Sequence, residues 1–274
     1  MTIELAEINI LDNNFNKFYE YSLQLELHEE EKIERLAHSI RTFYTDLNSL
    51  KTSLPSNNIF DNDFIENLIN SRIPQWKETG QQNFQVVRSE FGEIIAQLAL
   101  EKYFDTQIHL NRLKTKEKAS LPTRGIDLLG VESDSEDLNL ILGEVKVSED
   151  KKNPPGVVHK PGKDDCLENK VPQLLASKDE IFEELAYYIE KVDAEHKEVY
   201  INIATNLSKD QSDQVIIGVP FLLRAEEVFD MKDTGNLLDY EGSEKRKVRF
   251  IIVKIKEDIN EISKILYQRA REGS

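Results

Sequence analysis

The chain has 274 residues and a mass of 31.7 kDa, enough for one medium domain or a core domain with an added subdomain. It carries 35 Lys and Arg against 51 Asp and Glu, a formal net charge of −16. Long-range repulsion from polyanions therefore excludes a free-standing protein that coats DNA with high affinity. The single cysteine, Cys166, excludes an internal disulfide and a cysteine-rich zinc module. There is no signal-peptide pattern and no apolar run near the ~20 residues that span a bilayer, which predicts a soluble, cytoplasmic protein without membrane contact.

Residues 1–75 are predicted to form an N-terminal strand-and-helix extension. Apolar and polar side chains alternate from Tyr19 to Leu27, the period of a half-buried strand. An apolar stripe with helical spacing follows from Ile33 to Leu47, and a shorter helix is predicted at 61–72. This α+β extension holds no chemical motif, so we interpret it as a partner-docking region.

Residues 76–274 have the pattern of a separate α/β domain. A long amphipathic helix is predicted from Phe84 to about Phe104, and a closing helix begins near Glu257. Between them the patterns alternate in a way that favours a mixed central sheet flanked by helices. The predicted elements are strands at 106–113, 126–131 and 138–147, a polar loop at 150–170, a helix at 172–192, and strands at 198–204, 214–223 and 247–255.

Two carboxylates and a lysine stand where neighbouring strands can bring them together. Asp127 lies in an otherwise apolar strand, and Glu144 and Lys146 end the next one. Because side chains alternate along a strand, Glu144 and Lys146 share a face. Two hard oxygen ligands suit Mg²⁺ (or Mn²⁺), which completes its shell with waters and a substrate phosphate. The pattern therefore predicts phosphodiester hydrolysis, with Asp127 and Glu144 as metal ligands and Lys146 orienting or deprotonating the attacking water.

A third carboxylate can come from the long helix that precedes these strands. Glu90 and Glu93 are three residues apart and so lie on a common side, with Glu90 slightly favoured as the catalytic acid. Each is also explained as a solvated helix residue, and a Glu-x-Lys pair alone is also explained as an exposed strand end. The convergence of the strands favours a metal site over these simpler interpretations.

The order of these motifs resembles that of the PD-(D/E)xK nuclease superfamily over residues 84–205. The matching segments are an acid-bearing helix, a strand with the first acid and an apolar strand ending in Glu-x-Lys: Ser89-Glu90-Phe91-Gly92-Glu93, Gly125-Ile126-Asp127 and Glu144-Val145-Lys146. The resemblance implies a restriction-endonuclease-like core in which Asp127 and Glu144 hold the metal, Lys146 serves the water, and Glu90 or Glu93 is the helix acid. Ile126 replaces the proline of the motif, which lowers the specificity of the match. Gln173 stands on the following helix, where several members place a glutamine that contacts DNA or the site.

Within this superfamily the chain most resembles the nuclease subunit of the Hachiman anti-phage defence system. The resemblance rests on its size, its N-terminal extension and the segments Thr123–Asp127 and Gly143–Ser148. It implies a DNA-cleaving effector subunit that works with a separate helicase subunit, which would hold the DNA. The alternative is a catalytically silent subunit of the same fold that docks or senses DNA. The complete set of Asp127, Glu144 and Lys146 favours the nuclease.

Basic residues cluster on both sides of the predicted site in this otherwise acidic chain. The net charge between Lys102 and Arg124 is +4, and four lysines follow Lys146 in the polar loop at Lys151, Lys152, Lys160 and Lys163. Such side chains can follow DNA phosphates, although alternate charges are equally explained as the solvated face of an edge strand. The candidate DNA contacts are Arg112, Lys114, Lys116, Lys118, Arg124, Lys151, Lys152 and Gln173.

Overall fold

One six-stranded mixed sheet forms the centre of the computed structural model, which describes residues 3–13, 15–25, 29–45, 62–76, 81–121, 125–134, 137–209 and 212–272. Its strands are β1 (Leu5–Asn13), β2 (Asn16–Leu23), β3 (Leu128–Asp134), β4 (Asp137–Ser148), β5 (Ile216–Ala225) and β6 (Arg246–Ile255). They are ordered β1-β2-β6-β5-β4-β3. The four inner strands are parallel, and β1 and β3 pair antiparallel at the edges.

Helices cover both faces of this sheet. They are α1 (Glu30–Tyr44), α2 (Asn62–Arg72), α3 (Gln81–Tyr103), α4 (Leu167–Ala176), α5 (Lys178–Lys191), α6 (Lys197–Ser208) and α7 (Ile259–Glu272). Helices α1, α3 and α7 share one apolar core with the sheet, and α4, α5 and α6 share another on the opposite face. The predicted fold class, an α/β protein whose mixed sheet is flanked by helices, is confirmed, and it is consistent with a restriction-endonuclease-like core.

Strand β4 is buried on both faces, and this burial positions the candidate site. Ile141 and Val145 pack in the core that contains α3, while Leu140 and Leu142 pack against α4 and α5. A parallel strand covered on both faces has a nearly continuous apolar sequence, as β4 does until Glu144. On the face of β4 that carries α4, the apolar residues Leu140 and Leu142 are therefore followed directly by the charged residues Glu144 and Lys146.

The N-terminal extension joins the same sheet as the remainder of the chain. Strand β2 pairs parallel with β6 in a register that sets Tyr19 opposite Ile251. The predicted strand at 19–27 is thus present, but it begins at Asn16 and ends at Leu23. Strand β1 was not predicted, because it is an edge strand whose apolar side chains, among them Ile8 and Ile10, are largely exposed. The partner-docking role of this region stays a prediction.

Two predicted strands are wrong, and one predicted helix is interrupted. Residues 106–113 form no strand: Gln107 forms a single bridge with Val131 of β3, and a 3₁₀ turn follows at Arg112–Thr115, where the Asn111 side chain accepts a hydrogen bond from Leu113 N at 2.9 Å. Residues 198–204 lie in α6, where Tyr200, Ile203 and Leu207 form a buried helical stripe that overrides β-branched propensity. The helix at 172–192 is two helices, α4 and α5, divided at Ser177.

Candidate active site

Asp127 and Glu144 are brought together by the pairing of β3 with β4. Leu128, the first residue of β3, lies opposite Gly143, and Asp127 directly precedes this paired segment, close enough to Glu144 for the two charges to interact. Asp127 Oδ2 accepts a hydrogen bond from Val145 N at 2.7 Å, which fixes the carboxylate against β4. The other oxygen of Asp127 has no hydrogen-bond partner among the described residues.

Lys146 lies on the same face as Glu144 and contacts two carboxylates. Its Nζ lies 2.8 Å from Glu144 Oε1 and 2.9 Å from Asp165 Oδ1. Burial alone would lower the pKa of Lys146, but the charge and hydrogen bond of Glu144 and the hydrogen bond of Asp165 together hold that pKa above its ordinary value. Lys146 is therefore protonated at neutral pH in this arrangement and donates hydrogen bonds.

Glu93 is the helix carboxylate that faces the two acids of the sheet. A Cβ at Gly92 would clash with the Val147 side chain and lie 3.3 Å from Val145 Cγ1, so the glycine lets α3 lie directly on β4. Burial raises the pKa of Glu93 well above its ordinary value, and the charge of Asp127 raises it further. Within the described parts of the chain, Glu93 has no hydrogen-bond or ion-pair partner.

Glu90 has a different environment one turn earlier on α3. It is 2% exposed, forms an ion pair with Lys116 and accepts a hydrogen bond from the Tyr44 hydroxyl. Burial raises the pKa of Glu90 to about 7, although Lys116 acts in the opposite direction. The Tyr44 hydroxyl also lies 2.9 Å from that of Tyr267 on α7. Glu90 therefore joins helices together, and the geometry favours Glu93 over Glu90 as the third carboxylate.

The carboxylates form a partly buried anionic group that suits a divalent cation. Burial and the neighbouring Glu144 raise the pKa of Asp127 to about 7, which means that the charged form is disfavoured when no cation is bound. No three His, Cys, Asp or Glu side chains of the described residues form a ready-made metal cage. Asp127 and Glu144 nevertheless fit Mg²⁺ or Mn²⁺, because these ions keep several waters and use few protein oxygens.

The family of this chain follows from a comparison with known proteins. A family model, HamA, matches residues 3–270. The chain belongs to the HamA family. This membership supports the resemblance to a component of the Hachiman anti-phage defence system. A comparison with curated proteins gives no match.

Two of the predicted DNA contacts are internal in this HamA-family chain. Arg112 is buried, donates to the carbonyl of Ile126 and lies 3.1 Å from Glu184, so it holds the segment that leads into Asp127. Lys116 is buried against Glu90. The predicted contacts that are exposed are Lys114, Lys118, Lys151, Lys152 and Gln173. Arg124 lies outside the described residues.

Asp165 is a component of the site that no sequence pattern indicated. It lies in the polar loop between β4 and α4, and its side chain is 80% exposed. Its contact with Lys146 depends on how the loop folds back over the end of β4, and no local spacing carries that information. The same loop supplies Lys160 and Lys163 to the surface beside Lys146.

None of the helices in the described residues is long and apolar enough to cross a membrane.

Proposed function

We propose that this HamA-family chain is a metal-dependent DNA nuclease of the PD-(D/E)xK type. It would act as the effector subunit of a Hachiman anti-phage defence complex together with a helicase subunit. The observation that carries the proposal is the placement of Asp127 and Glu144 side by side, with Lys146 on the face of Glu144. Two adjacent carboxylates and a lysine are the groups that hydrolysis of a phosphodiester with a bound divalent cation requires.

Each side chain has a defined role in this proposal. Asp127 and Glu144 would hold Mg²⁺ or Mn²⁺, which when bound supplies Lewis-acid stabilisation of the phosphoryl oxygens and lowers the pKa of water. Lys146 carries its proton on Nζ and donates hydrogen bonds to the attacking water or a phosphate oxygen. Glu93 would contribute a carboxylate from α3. It would either bind the metal directly or accept a hydrogen bond from a water that the metal holds.

A helicase partner is consistent with the charge of the chain. The net charge of −16 opposes strong binding of long DNA by the chain alone. A partner that holds the DNA would raise the local substrate concentration at the site. The exposed lysines Lys160 and Lys163, which line the surface beside Lys146, would then contact phosphates that the partner presents.

The test is cleavage of plasmid and single-stranded DNA by the purified chain, alone and with the helicase partner. We expect cleavage with Mg²⁺ or Mn²⁺ and none in EDTA. Asp127 and Glu144 would bind the cation, but no side chain of the site could replace it in catalysis. Agarose gels of time courses measure the result. Absence of cleavage with every metal, with and without the partner, would contradict the proposal and leave a silent docking or DNA-sensing subunit.

The two helix glutamates are expected to respond differently to substitution by glutamine. Glu93→Gln should reduce cleavage by roughly a hundredfold, since Glu93 faces Asp127. Glu90→Gln should reduce cleavage much less and instead lower the melting temperature, because it leaves the buried Lys116 without its ionic partner. Initial rates and thermal unfolding of both variants measure the difference. A larger loss of cleavage in the Glu90 variant at a temperature where it is folded would reverse the assignment.

A further inference from the structure

A cleft of about 560 Å³ opens directly beside Lys146, at the end of β4. Its walls are the end of β4, the side chain of Arg88 on α3 and the loop between β4 and α4. The cations that line it are Arg88, Lys146, Lys160 and Lys163, and the anions are Glu149, Asp150 and Asp165. The cleft is therefore continuous with the candidate active site through Lys146.

A tight turn holds two of these lysines at its ends. Lys163 N donates to Lys160 O at 3.1 Å, and Pro161 and Gly162 lie between them, with φ of Gly162 at +72°. This is a type II β-turn, in which the glycine at the third position supplies the positive φ. Buried Val158 and the bond from Leu167 N to Val157 O at 3.0 Å anchor the loop. The turn thus fixes the backbone of Lys160 and Lys163, whose side chains are exposed.

Lys160 and Lys163 form no ion pair with the acids that share the cleft. No carboxylate of the described residues lies within salt-bridge distance of Lys160 or Lys163. Glu149 accepts hydrogen bonds from Ile259 N at 3.0 Å and from Asn260 Nδ2, and it lies 3.6 Å from Arg88, so its partners are the start of α7 and Arg88. Asp150 accepts from Lys152 N at 3.2 Å. The cleft therefore has two lysines available to an anionic ligand.

Asp165 forms an ion pair with Lys146, and both side chains line this cleft. The ion pair of Asp165 with Lys146 is 2.9 Å long, and the Asp165 side chain is largely exposed. Exposed ion pairs contribute little net stability, so an incoming anion can displace such a carboxylate at low cost. A phosphate oxygen offers Lys146 the same type of acceptor as the Asp165 carboxylate.

We propose that this cleft binds a backbone phosphate of the DNA strand next to the scissile one, through Lys160 and Lys163. In the free protein Asp165 takes the place of a phosphate oxygen at Lys146 and is displaced when the strand enters. The inference rests on the proposed nuclease function, because it names the part of that site which holds the strand. It also separates Lys160 and Lys163 from Lys151 and Lys152, which lie on the same loop but do not line the cleft.

The test measures binding of a short fluorescein-labelled DNA strand by anisotropy, in EDTA and at low salt, with the full chain. We expect Lys160→Gln together with Lys163→Gln to weaken binding roughly five- to tenfold and to reduce the salt slope by about 0.7 per lost phosphate contact. The matched control, Lys151→Gln together with Lys152→Gln, removes the same charge from the same loop and should change binding less than twofold. No binding by the unmodified chain, or equal weakening by both pairs, would overturn the proposal.

A second pair of variants tests the role of Asp165. Asp165→Asn should tighten DNA binding about two- to threefold, since it frees Lys146, whereas the neighbouring Asp164→Asn should have a smaller effect. Equal effects of the two substitutions would overturn the displacement step. Because binding is measured without metal, its dependence on Lys160 and Lys163 survives if the chain proves catalytically silent. Conversely, if the chain cleaves DNA with a metal but its DNA binding does not depend on Lys160 and Lys163, the nuclease function stands and the cleft is not part of its DNA-binding site.

Discussion

Replacing Glu144 by glutamine is expected to reduce metal-dependent DNA cleavage by roughly a thousandfold. The substitution keeps the shape of the side chain but removes one of the two interacting carboxylates, Asp127 just before β3 and Glu144 in β4. It also removes the ionic partner that Lys146 contacts at 2.8 Å. Single-turnover cleavage rates in Mg²⁺ measure the loss.

The same substitution is expected to leave the stability of the metal-free chain nearly unchanged, because Lys146 keeps Asp165 as an ionic partner. Burial and then the charge of Glu144 raise the pKa of Asp127, so the two carboxylates repel each other when no cation is bound. Removing one charge relieves that repulsion. Mg²⁺ should raise the melting temperature of the unmodified chain and not that of the Glu144→Gln variant, because only a native state with a binding site is stabilised by a ligand.

Glu132→Gln is the matched control for this experiment. Glu132 is also buried on the sheet, but it forms two bonds with Arg249, at 2.6 and 2.8 Å, and accepts from Thr106. Its loss should lower stability and leave cleavage by the folded fraction largely intact. A Glu144 variant that loses as much stability as the Glu132 variant, or that still cleaves normally, would contradict the site assignment.

The central strands and the chemistry at their ends could be predicted because local pattern determines them. β4 is apolar on both faces, so its abrupt change at Glu144 is visible in the sequence. Asp127 is an isolated charge in an apolar strand. Strand pairing then follows from sheet geometry, and the convergence of these residues needs no long-range information beyond that pairing.

The remaining features depend on tertiary contacts that no local spacing encodes. Arg112 and Lys116 are charged and alternate with neutral residues, which resembles a solvated strand, yet both are buried by partners far away in sequence, Glu184 and Glu90. The choice between Glu90 and Glu93 likewise depends on Gly92, which sets how closely α3 approaches β4.

The same limit applies to the segment at 198–204. Its valine and isoleucine residues favour a strand by propensity, but Tyr200, Ile203 and Leu207 share a helical face that buries against the core of α4 and α5. The packing of that face stabilises α6 by more than the strand preference of its β-branched residues destabilises it.

Arg224→Met is expected to lower the free energy of unfolding by about 3–5 kcal/mol. Arg224 is fully buried at the end of β5, and its Nε donates to Asp233 at 2.8 Å. Its terminal nitrogens also donate to Asn153 Oδ1 at 2.8 Å and to the Lys152 and Val228 carbonyls at 3.1 Å. Without the guanidinium, Asp233 becomes an unpaired buried charge. Denaturant unfolding monitored by circular dichroism measures the loss.

Two further variants separate the buried pair from an ordinary charge deletion. Arg224→Met combined with Asp233→Leu should recover part of the lost stability, since no buried charge is then left unpaired. Lys245→Met breaks an exposed pair with Asp213 and should leave the unfolding midpoint nearly unchanged. Because Arg224 binds the chain just after β4, the single variant should also weaken DNA binding in the cleft of Lys160 and Lys163, even where it is folded. An Arg224 variant as stable as the Lys245 variant would show that the loop beside Lys146 does not depend on this arginine.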